Sequence, residues 1–504
     1  MLFYIIGAVF FSIFSVATLL YVSLATGIGP WIAPLLVCIV RMLRIEPAAS
    51  LYIVMGASCG AAIATGIGFS IPTLYFVDRI AWDAWMVHPV LFSLGMMAGI
   101  IAASMWGVAL ARRYAAEVFA DTSCTFPTLI AIQATLDTAL SRVHALFLGG
   151  GIFCATAIGV ARNSLAWCAG LPLFPVYAAA GFLAGTSLVI PLLLGVLSRW
   201  VVVWPLMTIA QWMPEVSWAH MSMRDVTWAL CLGLMLSSIF RSVRRHRLVL
   251  YKGLRSLISF ERRPEASSTV LEHAGTLGSL GLCIAAGLPP FAFVFILFCM
   301  RPLLRHLLFF FASTGLAPYG RYMTLMMIPL LCIPGISSIP VILVCGVIGV
   351  TGSIMIETVS AMRLCAQYSL DSRRMSWALA LGISVSACVC GGLLWALCTV
   401  YGLGIPPLLA HRGLSRALVM NAFAWNGTLV ALGCVWGMIL DWRGINAALM
   451  FGGLIMPTEL VFCFVGGGIV RHVLQDDSRG ILFWSGVLVG DVMLLIATAV
   501  FSGI

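Results

Sequence analysis

Charge is what this chain has least of. Asp, Glu, Lys and Arg together make up 9% of its 504 residues, and Lys252 is its single lysine. A water-soluble domain carries about 25% charged residues, so a soluble enzyme or binding module is excluded. The N-terminal stretch Met1–Thr26 has no basic n-region and no small-residue cleavage site ahead of a soluble domain. It is expected as a first spanning helix that stays in the mature protein. The sixteen cysteines contain no C-x-x-C pair, and Cys38, Cys154, Cys283, Cys388 and Cys390 lie inside apolar stretches. There they are expected to act as small hydrophobes rather than as bridges or metal ligands. Neither H-E-x-x-H nor a P-loop occurs, so no catalytic residue is assigned. His220-Met221-Ser222-Met223 has soft-metal donors, but Trp218 beside it fits an interface belt. Neither metal nor cofactor is expected.

What the chain has in abundance is apolar sequence: 62% of it is hydrophobic, and mean hydropathy is +1.08. A spanning helix takes about 20 apolar residues, and such runs recur from end to end. They predict an all-α, polytopic helical bundle of roughly 14–16 spans, with the bilayer as solvent. The formal charge of +10 comes from arginines in short breaks between apolar runs. That pattern fits topology signals and lipid headgroups, and no nucleic-acid partner is expected.

One long polar interval, 241–273, carries Arg241, Arg244, Arg245, Arg247, Lys252, Arg255, Arg262 and Arg263 against Glu261, Glu265 and Glu272. Positive charge beside a span resists translocation, so this loop is expected in the cytoplasm. It separates an N-terminal transmembrane half, 1–240, from a C-terminal half, 274–504. Two similar halves hint at a duplication of the kind many transporters show, although no residue-level repeat is visible.

Glycine and proline interrupt the apolar runs at Gly27–Pro30, Gly66–Pro72, Leu171–Pro175, Gly315–Gly320, Ile333–Pro340 and Gly452–Pro457. Irregular backbone at membrane depth is tolerated only where protein buries it or where it lines a cavity. The plainer reading is close helix packing on glycine. Six such breaks favour a cavity lined by broken helices.

A charge inside the bilayer is costly, so ionisable residues there are functional candidates. Asp491 lies midway along Phe483–Phe501. Glu357 sits in the Gly-rich run Val350–Met362, and Glu459 follows Pro457. Desolvation favours a carboxylate's protonated form, which proton-coupled transport uses. Glu117 closes a basic–acidic stretch from Arg112, and Asp137 follows Pro127 in the next helix. A helix start there offers free N–H groups to an anion. Tyr319, beside Pro318, is the side chain nearest the Gly315–Gly320 break able to bind a solute.

The order of these features resembles the oligopeptide transporter family, which includes bacterial peptide carriers and the yellow stripe-like carriers of metal chelates. Ala62–Pro72, a span and Arg112–Pro127 are similar to its early Gly-rich helix and its basic–acidic–Phe-Pro stretch. Where the family continues with Ser/Glu-Gly-Thr-Ala, this chain has Pro127-Thr128-Leu129-Ile130-Ala131. Tyr177–Pro205 resembles its Gly-rich helix pair, and Gly315-Leu316-Ala317-Pro318-Tyr319-Gly320 with Met323-Thr324 its Ser-Asn-Pro-Ile-Ser-Gly-Met-Thr break. Gly352–Arg373 stands in the place of its acidic helix. Glu357 falls near the first acidic position there and Arg363 at a lysine, while Ala361 replaces an aspartate and Cys365 a glycine. Ser485-Gly486 through Gly490-Asp491 is similar to the closing Ser-Gly-x-x-x-Gly-Glu, with aspartate for glutamate.

The resemblance runs along most of the chain, but each motif is degenerate. It implies a secondary active transporter in the plasma (inner) membrane. The implied cargo is an oligopeptide or a peptide-like chelate, and the implied coupling ion a proton or another cation. A membrane-embedded enzyme acting on a lipid-linked substrate is the alternative. It would gather an acid and a base at one interface, whereas the carboxylates here lie far apart in sequence and within apolar helices.

Overall fold

The computed structural model describes residues 2–121 except 28, 30, 31 and 44, then 124, 126, 129 and 132. It further describes 142–212 except 165–174 and 185, positions among 223–237, most of 266–474, and positions among 479–494. The gaps in 266–474 are 315, 316, 318, 332, 334, 421–425, 446, 448, 449, 451, 452 and 455–457.

Helices dominate, and no strand occurs among the described residues. In chain order they are α1 (Leu2–Thr26), α2 (Ala33–Met42), α3 (Pro47–Ser70), α4 (Thr73–Val77), α5 (Arg79–Met86) and α6 (Pro89–Ala120). Then come α7 (Arg142–Ser164), α8 (Pro175–Ala184), α9 (Thr186–Ser198), a π-helical turn Arg199–Val203 and α10 (Trp204–Trp212). After the basic interval follow α11 (Ala266–Ala285), α12 (Pro290–Thr314), α13 (Tyr319–Leu331), α14 (Ser338–Gln367) and α15 (Ser372–Tyr401). The last are α16 (His411–Met420), α17 (Gly427–Trp442) and α18 (Thr458–Leu474). Seven helical segments among the described residues are long and apolar enough to cross a membrane, and three more are shorter and apolar. The chain is an all-α polytopic membrane bundle.

Two compact units form, and each draws on both sides of the basic interval. The first comprises 1–140 and 247–414, the second 141–246 and 415–504. The units therefore do not follow the division at the loop. Of the polar interval, 241–265 lies outside the described residues. The remainder is already helical, because α11 begins at Ala266 and buries Glu272.

In the first unit α3 and α14 form the interior, packed by α1, α6, α11, α13 and α15. Small residues set that geometry. A Cβ on Gly56 would stand 2.7 Å from the Ala378 carbonyl oxygen of α15, and one on Gly107 2.6 Å from that of Thr351 in α14. Backbones this close need glycine. Thr351 uses the proximity, its hydroxyl donating to the Ala103 carbonyl at 3.1 Å.

Two expected breaks are real. Gly27 (φ 65°) ends α1, and Gly335 (φ 79°) lies between α13 and α14. Gly66–Pro72 is different. The helix runs through Gly66 and Gly68 to Ser70 and turns only at Ile71 and Pro72. A Cβ on Gly66 would come within 3.0 Å of the Gly349 carbonyl carbon, so that glycine serves packing, not a cavity. Most of Leu171–Pro175 and of Gly452–Pro457 lies outside the described residues.

The second unit pairs α8 with α18. Tyr177 meets Phe464 edge-on at 5.4 Å, and Phe182 stacks on Trp484 at 5.4 Å. Gly151 of α7 lies against Phe483 and Val487, and Gly490 against Ile152. The segment bearing Asp491 is thus set on α7 through small residues.

Candidate functional site

α14 is a continuous helix of 30 residues, and Glu357 lies two-thirds of the way along it, 3% exposed. Its Oε2 accepts a hydrogen bond of 2.8 Å from the Ser58 hydroxyl of α3. Ser58 also lies 3.0 Å from the Met55 carbonyl. Tyr319 opens α13, and its Cδ1 comes 3.9 Å from where a Cβ would stand on Gly352 of α14. Tyr319 is within electrostatic reach of Glu357, as is the buried Cys59. α13 is held to α14 by Cys345, whose Sγ lies 3.6 Å from the Met323 carbonyl oxygen. Ala317, between α12 and α13, is not helical.

Hydroxyls line the surrounding interior. Ser12, Ser15 and Thr18 recur every third residue along α1 and are fully buried. Their hydroxyl oxygens, with those of Ser360 on α14 and Ser386 on α15, have no hydrogen-bond partner among the described residues. Ser12 and Ser386 converge at Gly60, where a Cβ would stand 2.9 Å from the Ser12 carbonyl and 2.7 Å from the Ser386 hydroxyl. Buried hydroxyls usually find partners, so these five stand out in a largely apolar interior.

A second cluster sits toward the C-terminal ends of α6 and α14. Glu272 of α11 is buried between two guanidinium groups, Arg301 of α12 at 2.5 Å and Arg113 of α6 at 3.4 Å. Arg305 pairs with Glu117 at 2.7 Å. Arg363 lies over the rings of Phe119 and Phe126, at 5.3 and 5.9 Å from their centroids. Phe126 has the left-handed φ of 52°, and its N–H donates to the Ala312 carbonyl at 2.7 Å. Such backbone is strained for a non-glycine residue and persists only where its surroundings hold it.

The expected site residues therefore separate. Tyr319 and Glu357 share one neighbourhood, and Glu117 and Arg363 belong to the ionic cluster. In the second unit Asp491 is 1% exposed. It lies within reach of Tyr177, and its Oδ1 is 3.9 Å from the Cβ position of Gly159. Glu459 is exposed in the first turn of α18, where a carboxylate suits the helix dipole. Asp137 and Pro318 lie outside the described residues.

Ser58, Glu272, Arg113, Arg301 and Arg305 were not anticipated. Ser58 had a signal, since Gly56-Ala57-Ser58-Cys59-Gly60 matches the G-x-S-x-G pattern of hydrolases. That chemistry needs the serine on a strand-to-helix turn beside a base. Here the run lies inside α3, and the hydroxyl donates to a carboxylate. Glu272 gave a weaker signal, as one acid among many charges in a presumed loop. No family model matches the chain, and no curated protein matches it.

Proposed function

We propose that this protein is a secondary active transporter, a proton- or cation-coupled symporter of oligopeptides or peptide-like metal chelates. We further propose that it is a divergent oligopeptide transporter of the plasma membrane, with its basic loop in the cytoplasm. The observation that carries the reading is the pairing of Glu357 with Ser58. A hydroxyl can donate to a carboxylate and can equally accept from the carboxylic acid. The contact therefore survives both protonation states, whereas an arginine partner would hold the carboxylate charged.

Glu272, held by two guanidinium groups, has the opposite setting and suits a fixed charge. A bundle that only needed to fold would gain little from an acid in its apolar interior. The hydroxyls along α1, α14 and α15 that have no partner among the described residues keep this interior polar around α3 and α14.

The test is uptake of a peptide library by purified protein in liposomes, with and without an imposed pH gradient. Gradient-driven accumulation is expected for the wild type. Glu357→Gln is expected to keep substrate exchange and lose accumulation. Accumulation by Glu357→Gln equal to that of the wild type would refute the coupling role, and absence of any peptide uptake would refute the cargo.

A further inference from the structure

Toward the N-terminal end of α6 the first unit holds a cavity of about 360 Å³, walled by α3, α5, α6, α11 and α14. Its floor is apolar and buried: Ile67, Phe92, Met96, Ile100, Cys283 and Val350. Toward its mouth stand Trp85 and His88, with the exposed Leu91. Neighbouring Val90 and Leu94 are also exposed, at 69% and 50%, so this flank of α6 faces the surrounding medium. In a membrane bundle that medium is hydrocarbon.

Two glycines open the cavity. Gly95 and Gly99 both line it. A Cβ on Gly95 would meet nothing within 4 Å, and one on Gly99 would meet only Leu282, at 3.7 Å. Glycine in a membrane helix usually permits close helix approach, as Gly56 and Gly107 do here. At 95 and 99 no neighbouring helix requires it, and the missing side chains instead make the hollow. A hollow of this size without occupant atoms would forfeit dispersion contacts all along its wall.

We propose that this cleft is a binding site for one acyl chain of a membrane phospholipid. The lining, which offers almost only carbon and sulfur, gives a polar solute nothing to bond. The cleft starts beside Trp85 and His88 and follows α6 from Leu91 to Ile100, about 15 Å at 1.5 Å per residue. That is half of a hydrocarbon core about 30 Å thick, the depth one acyl chain occupies. Trp85 and His88 then sit at headgroup level, where amphipathic rings collect. The Trp395 indole fixes this end by donating to the Met86 carbonyl at 3.0 Å. The site is independent of the transport reading and stands or falls separately.

The probe is a phosphatidylglycerol with a diazirine near the end of one acyl chain, doped into phosphatidylethanolamine–phosphatidylglycerol vesicles holding the full-length protein. After photolysis, adducts are expected in the peptides of Leu91–Ile100 and Leu343–Val350 in excess over the peptide Phe291–Phe295, where Phe291, Val294 and Phe295 are exposed. Gly95→Phe, whose Cβ would meet nothing within 4 Å, places a ring in the cleft and should abolish that excess while the Phe291–Phe295 signal persists. Gly99→Leu, a smaller filling, should do the same if Gly95→Phe does not elute as a single species. Labelling no greater than at Phe291–Phe295 would reduce the cleft to ordinary annular contact and overturn the proposal. So would an excess unchanged in a folded filled variant.

Discussion

The Ser58 hydroxyl and the Glu357 carboxylate, 299 positions apart in sequence, share a hydrogen bond of 2.8 Å inside the first compact unit. The bond joins the two most interior helices, α3 and α14. It is expected to contribute both to stability and to the proton exchange proposed for Glu357.

Ser58→Ala should destabilise the protein by about 1–3 kcal/mol, because a buried acceptor loses its donor. It should also shift the pH dependence of gradient-driven uptake, which a purely structural bond would leave in place. Denaturation in mixed micelles gives the first quantity, and uptake across a series of external pH values gives the second.

Asp491 lies near Tyr177 as Glu357 lies near Tyr319, each pair within its own unit. Asp491→Asn keeps size and hydrogen bonding but removes the charge. It is expected to fold, to exchange substrate, and to lose accumulation driven by a proton gradient. Wild-type accumulation in this variant would leave Asp491 as a clamp that holds its helix to α7.

The ion pairs should differ sharply in worth. The Glu272 side chain is 7% exposed, and that of its partner Arg301 35%. Removing one partner of a buried pair costs about 3–5 kcal/mol, and partial exposure of the arginine lowers this. Arg301→Met should therefore cost about 2–3 kcal/mol. The Arg79 and Asp83 side chains are 55% and 56% exposed, so Arg79→Met should cost less than about 1 kcal/mol. Equal losses in chemical denaturation would contradict the burial of Glu272.

His411 opens α16, and neither of its ring nitrogens has a partner among the described residues. Burial, and then the charge of Arg412, push its pKa from the ordinary 6.5 down to about 3. The folded state therefore holds a neutral ring, while the unfolded chain takes up a proton below pH 6.5. This contribution is complete above that pH and is lost as pH falls toward 3, by about 1.4 kcal/mol per unit. His411→Leu should flatten the slope of stability between pH 6.5 and 5. An unchanged slope would show that the folded state does not lower the pKa of the ring.

Composition and apolar run length by themselves determined that this is an all-α membrane protein. A bilayer has no water for unpaired backbone groups, so long apolar stretches must form helices. They also marked Glu357 and Asp491, because an acid inside such a stretch is conspicuous wherever the helix turns. Tertiary packing alone decided the rest. Glycine reads the same in sequence whether it breaks a helix, as at Gly27, admits a neighbouring backbone, as at Gly66, or opens a hollow, as at Gly95. Which of these occurs depends on what stands opposite. Glu272, too, looked like one loop charge among many until α11 carried it between Arg113 and Arg301. Both arginines lie on other helices, and the chain order holds no trace of that meeting.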